Sequence, residues 1–282
     1  MNDTRTAYLN GEFMPLSQAR ISPMDRGFLF GDSVYEVIPA YDGRFFRLEA
    51  HIERLHRSLD EIRLDLGMAD SDLRSIVENV KDRDGGGDIA IYIQVSRGAP
   101  TTRDLRAPRG RPTVFATSLS PKGVSDEIRD HGVPAATARD IRWGACHIKS
   151  TALLANVMAM QEAGEGAVEA IMIRDECVTE GGSSNVFVVR DDRVLTAPRD
   201  HRILAGITRD VVLEVLGELS IESSEEQIPE SALHSADEIW ITSSTREVWP
   251  VTALDGDAVG NGIPGPVWRA VDARYQDVKR AQ

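Results

Sequence analysis

One lysine in this chain sits where chemistry is possible. Lysine occurs only at Lys81, Lys122, Lys149 and Lys279. Lys149 lies in Ala145-Cys146-His147-Ile148-Lys149-Ser150-Thr151-Ala152-Leu153-Leu154, a mostly apolar stretch. A buried lysine usually has a partner or a task. Desolvation would lower its pKa and free the amine as a nucleophile or base, as Schiff-base chemistry requires. The competing reading is a snorkelling side chain with its head in water.

A second candidate is Val178-Thr179-Glu180-Gly181-Gly182-Ser183-Ser184-Asn185-Val186-Phe187, where an acid precedes small residues and then a strand. The glycines predict close backbone approach to something bound, with Glu180 at its edge; an ordinary Gly/Ser turn fits the same letters. Two further stretches could cradle an anion. Gly206-Ile207-Thr208 opens a helix with a Gly and a Thr N-cap, leaving amides free. Thr242-Ser243-Ser244-Thr245 follows a strand with hydroxyls and amides that could clasp the same phosphate. Taken singly, each is also a plain cap or turn.

Other signals are weaker. Gly260 to Gly265 fits G-x-G-x-x-G but contains Pro264 and leaves no room for a βαβ unit, so it is not read as a dinucleotide site. His51 and His56 are five apart on a helix, too far round it to share a metal, and are expected to be solvated or half-buried. Cys146 and Cys177 form no CxxC and read as free thiols of a reducing compartment. No metal site is predicted.

The elements that must position these residues follow from periodicity. Tyr8 to Phe13 reads as a hairpin turning at Asn10-Gly11. Val34 to Ile38, Phe45-Phe46, Ile89 to Ser96 and Thr113 to Ser118 read as strands. Leu48, Ile52, Leu55, Leu59 and Ile62 are spaced four, three, four, three, one face of a helix, and a second helix is predicted over 70–81. Residues 98–112 are Pro/Gly-rich and read as a loop. In the second half, 171–174, 186–189 and 238–242 read as strands, 208–216 and 266–275 as helices. Residues 119–131 lack periodicity and are the candidate linker. The expectation is a smaller N-terminal α/β domain over 1–118 and a larger C-terminal domain over 132–282. Strands often follow strands, so the fold class is mixed α/β (α+β) with antiparallel-rich sheets.

The chain has 282 residues, enough for one large or two small domains, and carries 45 acidic against 32 basic residues, a net charge of -13. Such a surface repels nucleic acid and anionic membranes, so neither is an expected partner. No apolar run is long enough to span a bilayer, and Met1 to Phe13 reads as no secretory leader. The expected location is the cytoplasm.

Together the motifs resemble a family. Asp25-Arg26-Gly27-Phe28-Leu29-Phe30-Gly31-Asp32-Ser33-Val34-Tyr35-Glu36-Val37 is similar to the N-terminal signature of class IV (fold-type IV) pyridoxal-phosphate-dependent aminotransferases. So are Ile148-Lys149-Ser150, Val178 to Asn185, Gly206-Ile207-Thr208-Arg209 and Thr242 to Thr245, in the family's order and spacing. Ile91 to Gly98 and Asp140-Ile141-Arg142-Trp143 resemble the D-amino-acid branch.

The resemblance implies roles. Lys149 would form the Schiff base with pyridoxal 5'-phosphate and shuttle the substrate proton. Glu180 would face the pyridine nitrogen and keep the ring protonated. Arg54, the Ile207 and Thr208 amides, Ser244 and Thr245 would bind the phosphate. Leu204 would pack on the ring, and Tyr35 would face the substrate. The D-amino-acid branch usually has Arg-x-His after Gly98; this chain reads Thr102-Arg103-Asp104-Leu105. Arg103 can serve the substrate carboxylate, whereas Leu105 cannot donate a hydrogen bond, which could favour less charged substrates. Arg106 and Arg109 read as solvated loop arginines.

The implied activity is transfer of an amino group from a D-amino acid such as D-alanine to a 2-oxo acid such as 2-oxoglutarate or pyruvate. Alternatives are an (R)-selective amine transaminase or mixed specificity, a branched-chain L-amino-acid transaminase, and an aminodeoxychorismate lyase. A non-catalytic relative would have lost Lys149 or Glu180, and both are present. The family further implies a homodimer.

Overall fold

The computed structural model describes residues 3–106 and 110–281. Arg109 lies outside the described residues. The chain divides into two compact units, one from the N-terminus to Pro121 together with Ile148–Ala152, the other covering Lys122–His147 and Leu153–Ala281.

The first unit begins with β1 (Thr6–Leu9) and β2 (Glu12–Pro15). Their hairpin turns at Asn10 and Gly11, both at positive φ, as the Asn-Gly pair predicts. There follow α1 (Arg26–Phe30), β3 (Ser33–Tyr41), β4 (Arg44–Phe45), α2 (Leu48–Glu61), α3 (Asp70–Arg83), β5 (Ile89–Ser96) and β6 (Thr113–Leu119). The six strands form one antiparallel sheet in the order β2-β1-β6-β5-β3-β4. Ile52, Leu55 and Leu59 of α2, with Leu73, Ile76, Val77 and Val80 of α3, cover one face against Val34, Ile38, Ile91 and Ile93. A polar stripe, His51, Arg54 and Ser58, is buried on α2 as well.

The second unit contains α4 (Asp126–His131), β7 (Val133–Arg139), α5 (Leu154–Ala163), β8 (Glu169–Arg174), β9 (Cys177–Gly181), β10 (Asn185–Arg190), β11 (Arg193–Thr196), α6 (Ile207–Glu218), β12 (Ser223–Glu225), β13 (Ile228–Pro229), α7 (Glu230–His234), β14 (Glu238–Ser243), β15 (Glu247–Leu254), β16 (Asp257–Ala258) and α8 (Pro266–Ala281). Ten strands make one sheet, ordered β12-β11-β10-β14-β15-β7-β8-β9-β13 with β16 beside β15. Among the described residues only β11–β12, β15–β7 and β7–β8 are parallel. Both units are therefore mixed α/β and antiparallel-rich. Among the described residues no helix is long and apolar enough to cross a membrane.

Two differences from the sequence reading have physical causes, and one rejected motif finds its place in the fold. Residues 126–131, inside the stretch without periodicity, form a helix capped by Ser125, whose hydroxyl accepts from Ile128 N at 3.3 Å. It is too short to show a repeat. The Lys149 segment belongs with the first unit, because it pairs with the start of β3: Tyr35 N donates to Lys149 O at 2.9 Å and Thr151 N to Ser33 O at 3.1 Å. The Gly260–Gly265 string is the approach to α8. A side chain at Gly265 would run into the Glu238 carboxylate, which accepts from Val267 N and Trp268 N at 2.9 and 2.8 Å and so caps that helix.

Candidate active site

Strand β3 alternates in direction, so Val34, Glu36 and Ile38 share the helix-covered face. Glu36 is thereby placed opposite the polar stripe of α2. It has no solvent exposure. Arg54 Nε donates to its Oε1 at 2.7 Å and Nη2 to its Oε2 at 2.9 Å, while His51 Nδ1 lies 2.7 Å from Oε2. Burial pushes the Glu36 carboxyl up, but Arg54 and His51 outweigh it and hold it well below the usual carboxylate range. The same burial lowers the His51 pKa. His51 is thus neither solvated nor half-buried as its helical context predicts; it is a buried partner of Glu36. His56 is the surface histidine, bonded to Asp70 at 2.7 Å.

On the other face of β3, Tyr35 stacks on Tyr92 at 5.4 Å between centroids. Lys149 Nζ lies 4.4 Å from the centroid of the Tyr35 ring. The half-buried lysine is anchored through its backbone, O to Tyr35 and N to Ser58 Oγ at 3.3 Å, so the amine alone is left to move. Arg103 is exposed and packs on the Phe30 ring at 4.8 Å. Arg26 holds its loop by donating to Asp104 O, and to Leu105 O at 3.2 Å. Leu105 is 78% exposed, and Arg106 is solvated and, among the described residues, paired with Asp104.

In the second unit Glu180 is the penultimate residue of β9, with its carboxyl buried. Leu204 N donates to Oε2 at 2.9 Å, Asn185 Nδ2 to Oε2 at 3.2 Å, and Arg142 Nη1 to Oε1. Burial raises the Glu180 pKa to about 7, and Arg142 pulls the other way. Asn185 Nδ2 also donates to Leu204 O at 2.8 Å, which locks the turn that presents Leu204.

Gly181 and Gly182 do approach something closely, but it is protein. A side chain at Gly181 would meet Ser184 and Glu169, and one at Gly182 would meet Glu169 and Met160. Buried Glu169 collects Ser183 Oγ at 3.0 Å, Ser184 Oγ at 2.9 Å and Arg246 Nη1 at 2.5 Å. It ties the loop after Glu180 to the turn holding Ser244 and Thr245.

Helix α6 starts slightly earlier than the sequence reading places it. Gly206 is the N-cap, Ile207 and Thr208 are its first helical residues, and no side chain caps it. A side chain at Gly206 would run into Asn185 Oδ1. Its first amides therefore keep their donors aimed outward. Ser244 and Thr245 form the turn between β14 and β15, with Thr245 O accepting from Lys122 N at 2.8 Å. Thr242 stands opposite Asn185 in the ladder and so shares its face. Its buried Oγ1 has no hydrogen-bond partner.

The sequence reading missed Arg142, Asp140, Glu36 and Glu169 as individual residues, and it singled out His51 without its partner Glu36. The first two were visible only inside Asp140-Ile141-Arg142-Trp143, and Glu36 only inside a strand signature.

The sequence model described as amino-transferase class IV matches residues 33–254. The chain belongs to the class IV aminotransferases. It is 41% identical over 273 residues to a D-alanine aminotransferase of Staphylococcus haemolyticus and 42% identical to one of Bacillus licheniformis, covering 95% of each chain in both cases. A solved branched-chain aminotransferase of Thermoproteus uzoniensis, with norvaline, superimposes at TM-score 0.87 with 27% identity, over 97% of this chain and 94% of that one. The fold is that of the fold-type IV aminotransferases.

The family's cofactor is pyridoxal 5'-phosphate, and the residues fit it. The partnerless Thr242 hydroxyl and the uncapped start of α6 are donors without acceptors, which a phosphate supplies. A buried carboxyl poised near neutrality at Glu180 suits a basic ring nitrogen.

Proposed function

We propose that this aminotransferase moves the amino group of a D-amino acid, D-alanine being the type substrate, to a 2-oxo acid such as 2-oxoglutarate or pyruvate. The observation that carries the reading is 41–42% identity over 95% of the chain to two D-alanine aminotransferases, with Lys149 and Glu180 both present.

Arg54, the Ile207 and Thr208 amides, Ser244 and Thr245 bind the phosphate in this reading, with the Thr242 hydroxyl as a further donor. Leu204 packs on the ring. When bound, the cofactor supplies an electron sink for the carbanion formed at the substrate Cα. The Lys149 amine would take the proton from the substrate Cα and hold it for return. The Glu180 carboxylate holds the proton on the ring nitrogen. The Tyr35 hydroxyl and Arg103 orient the substrate, Arg103 through its carboxylate. Asn185 fixes Leu204 beside Glu180, and Glu169 fixes the loop after Glu180 to the turn holding Ser244 and Thr245, so these second-unit groups need little reorganisation during reaction.

A second reading rests on Leu105. An exposed apolar side chain in the loop that carries Arg103 supports activity on primary amines of (R) configuration alongside D-amino acids. We also infer a cytoplasmic homodimer. Support comes from the family likeness and from Leu154, Val157 and Met158, exposed on one side of α5 as at a subunit interface.

The test is an assay of the cofactor-loaded protein with D-alanine and 2-oxoglutarate. Equal amounts of pyruvate and D-glutamate are expected. Turnover of L-leucine without turnover of D-alanine would overturn the assignment. Gel filtration giving twice the chain mass is the matching result for the dimer.

A further inference from the structure

The guanidinium of Arg142 is held on several sides. Its Nη1 donates to Glu180 Oε1. Nε and Nη2 donate to Asp140 Oδ1 and Oδ2 at 2.9 and 2.8 Å, and Nη2 reaches Arg202 O at 3.1 Å. Asp140 is fixed in turn by Thr179 Oγ1 at 2.8 Å and Arg174 Nη2 at 2.9 Å. Thr179 precedes Glu180 on β9, so the assembly is built into the strand that carries the carboxyl.

Each described hydrogen bond to the Glu180 carboxyl is donated to it, by Arg142, Asn185 or Leu204. Arg142 and the Leu204 amide have no acceptor to offer. The Asn185 amide is oriented by Leu204 O, which requires its nitrogen on that side and therefore presents nitrogen to Glu180 as well. A proton on Glu180 would find no acceptor among these groups, so the geometry selects the carboxylate. Burial opposes it. The charges around Glu180 are Arg142, directly bonded, and Asp140 behind it, itself paired with Arg174; the Cys146 thiol also faces this cluster. Arg142 is the one cation in direct contact with Glu180 among the described ion pairs.

We propose that Arg142 is a positioning residue for transamination: seated on Asp140, it keeps Glu180 anionic and aimed, so that Glu180 can hold the proton on the cofactor's ring nitrogen. The inference rests on the transaminase reading for the role of Glu180. The Arg142–Asp140 seat itself is a property of the chain.

The experiment follows the Glu180 carboxyl by isotope-edited infrared spectroscopy of the holoenzyme, with Glu180→Gln as the blank, beside the pH profile of kcat for D-alanine. Arg142→Gln should move the Glu180 titration and the acid limb of kcat upward together by about 1–3 pH units, the usual effect of losing an opposite charge at contact. Activity lost near neutrality should then return at higher pH. Arg142→Lys should restore part of the shift. Asp140→Asn, which keeps an acceptor for Arg142 but removes the competing charge, should move both downward. A merely structural role predicts a loss of kcat equal at all pH values and no movement of the titration, and that result overturns the proposal. If Arg142→Gln does not fold, an upward or absent shift in Asp140→Asn overturns it instead. A wild type without turnover on D-alanine would defeat the transaminase reading while the infrared titrations still decide the role of Arg142.

Discussion

Arg54 and Glu36 meet as a two-pronged ion pair, Nε to Oε1 at 2.7 Å and Nη2 to Oε2 at 2.9 Å, with the carboxylate wholly out of water. The pair joins α2 to β3, and His51 closes it from one side. It fixes the orientation of the arginine proposed to meet the cofactor phosphate.

Removing the charge from one side of that pair should be costly. Glu36→Gln leaves the Arg54 cation without its counter-charge, and one-sided loss of a buried pair destabilises by about 3–5 kcal/mol. Urea unfolding should show a loss of that order, and cofactor affinity should fall with it. The sign with pH is fixed. The folded-state pKa of Glu36 lies below the unfolded value of 4.5, so its stabilisation is present above that pH and is lost as pH falls towards the folded value. The variant should therefore show a flatter loss of stability in acid than the wild type. An unchanged acid slope would remove Glu36 from the argument.

Lys149→Ala should leave the fold intact, because the segment is held by its backbone. Turnover should fall by at least about 10⁴-fold, the upper range for a positioned acid–base group, and the visible absorption of the lysine-bound cofactor should vanish. Far-UV circular dichroism checks the fold. Retained activity would defeat the assignment of Lys149.

Much of this was legible in the sequence, and the rest was hidden for physical reasons. The four-three spacing from Leu48 gives α2 correctly, because a surface helix repeats its apolar face. It could not show that His51 and Arg54 are buried too, since their partner is a strand residue 15 and 18 positions earlier. Strand β15 begins at a buried glutamate and carries a proline, and α5 has apolar residues without a helical period, so neither offered a pattern. Lys149 stood out by scarcity, yet its pairing with β3 crosses from one half of the chain to the other. The glycines at 181 and 182 signalled a close approach, and only the structure shows that Glu169, Ser184 and Met160 are what they approach.

Leu105→His should restore a donor in the loop beside Arg103. A hydrogen bond to a charged group contributes about 1.5–3 kcal/mol, so kcat/KM for D-alanine relative to (R)-1-phenylethylamine should rise by about tenfold or more. An unchanged ratio would show that this position does not meet the substrate carboxylate.

Glu180 should also mark the pH dependence of the cofactor-free protein. Its pKa is about 7 in the folded chain against an ordinary 4.5, so the folded state binds the proton more tightly. Its contribution to stability is fully present below about 4.5 and declines as pH rises through about 7. Glu180→Gln should therefore lose less Tm than the wild type between pH 5 and pH 8, values that bracket the transition. Equal losses would mean that the buried carboxyl does not titrate in that range.

The central claim is amino transfer from a D-amino acid at Lys149. The most direct measurement is a single half-reaction, the holoenzyme mixed in parallel with D-alanine, L-leucine and (R)-1-phenylethylamine in the absence of any 2-oxo acid. D-Alanine should discharge the cofactor's visible absorption and release one pyruvate per active site, with L-leucine leaving the spectrum unchanged. A spectrum discharged by L-leucine and indifferent to D-alanine would contradict the account.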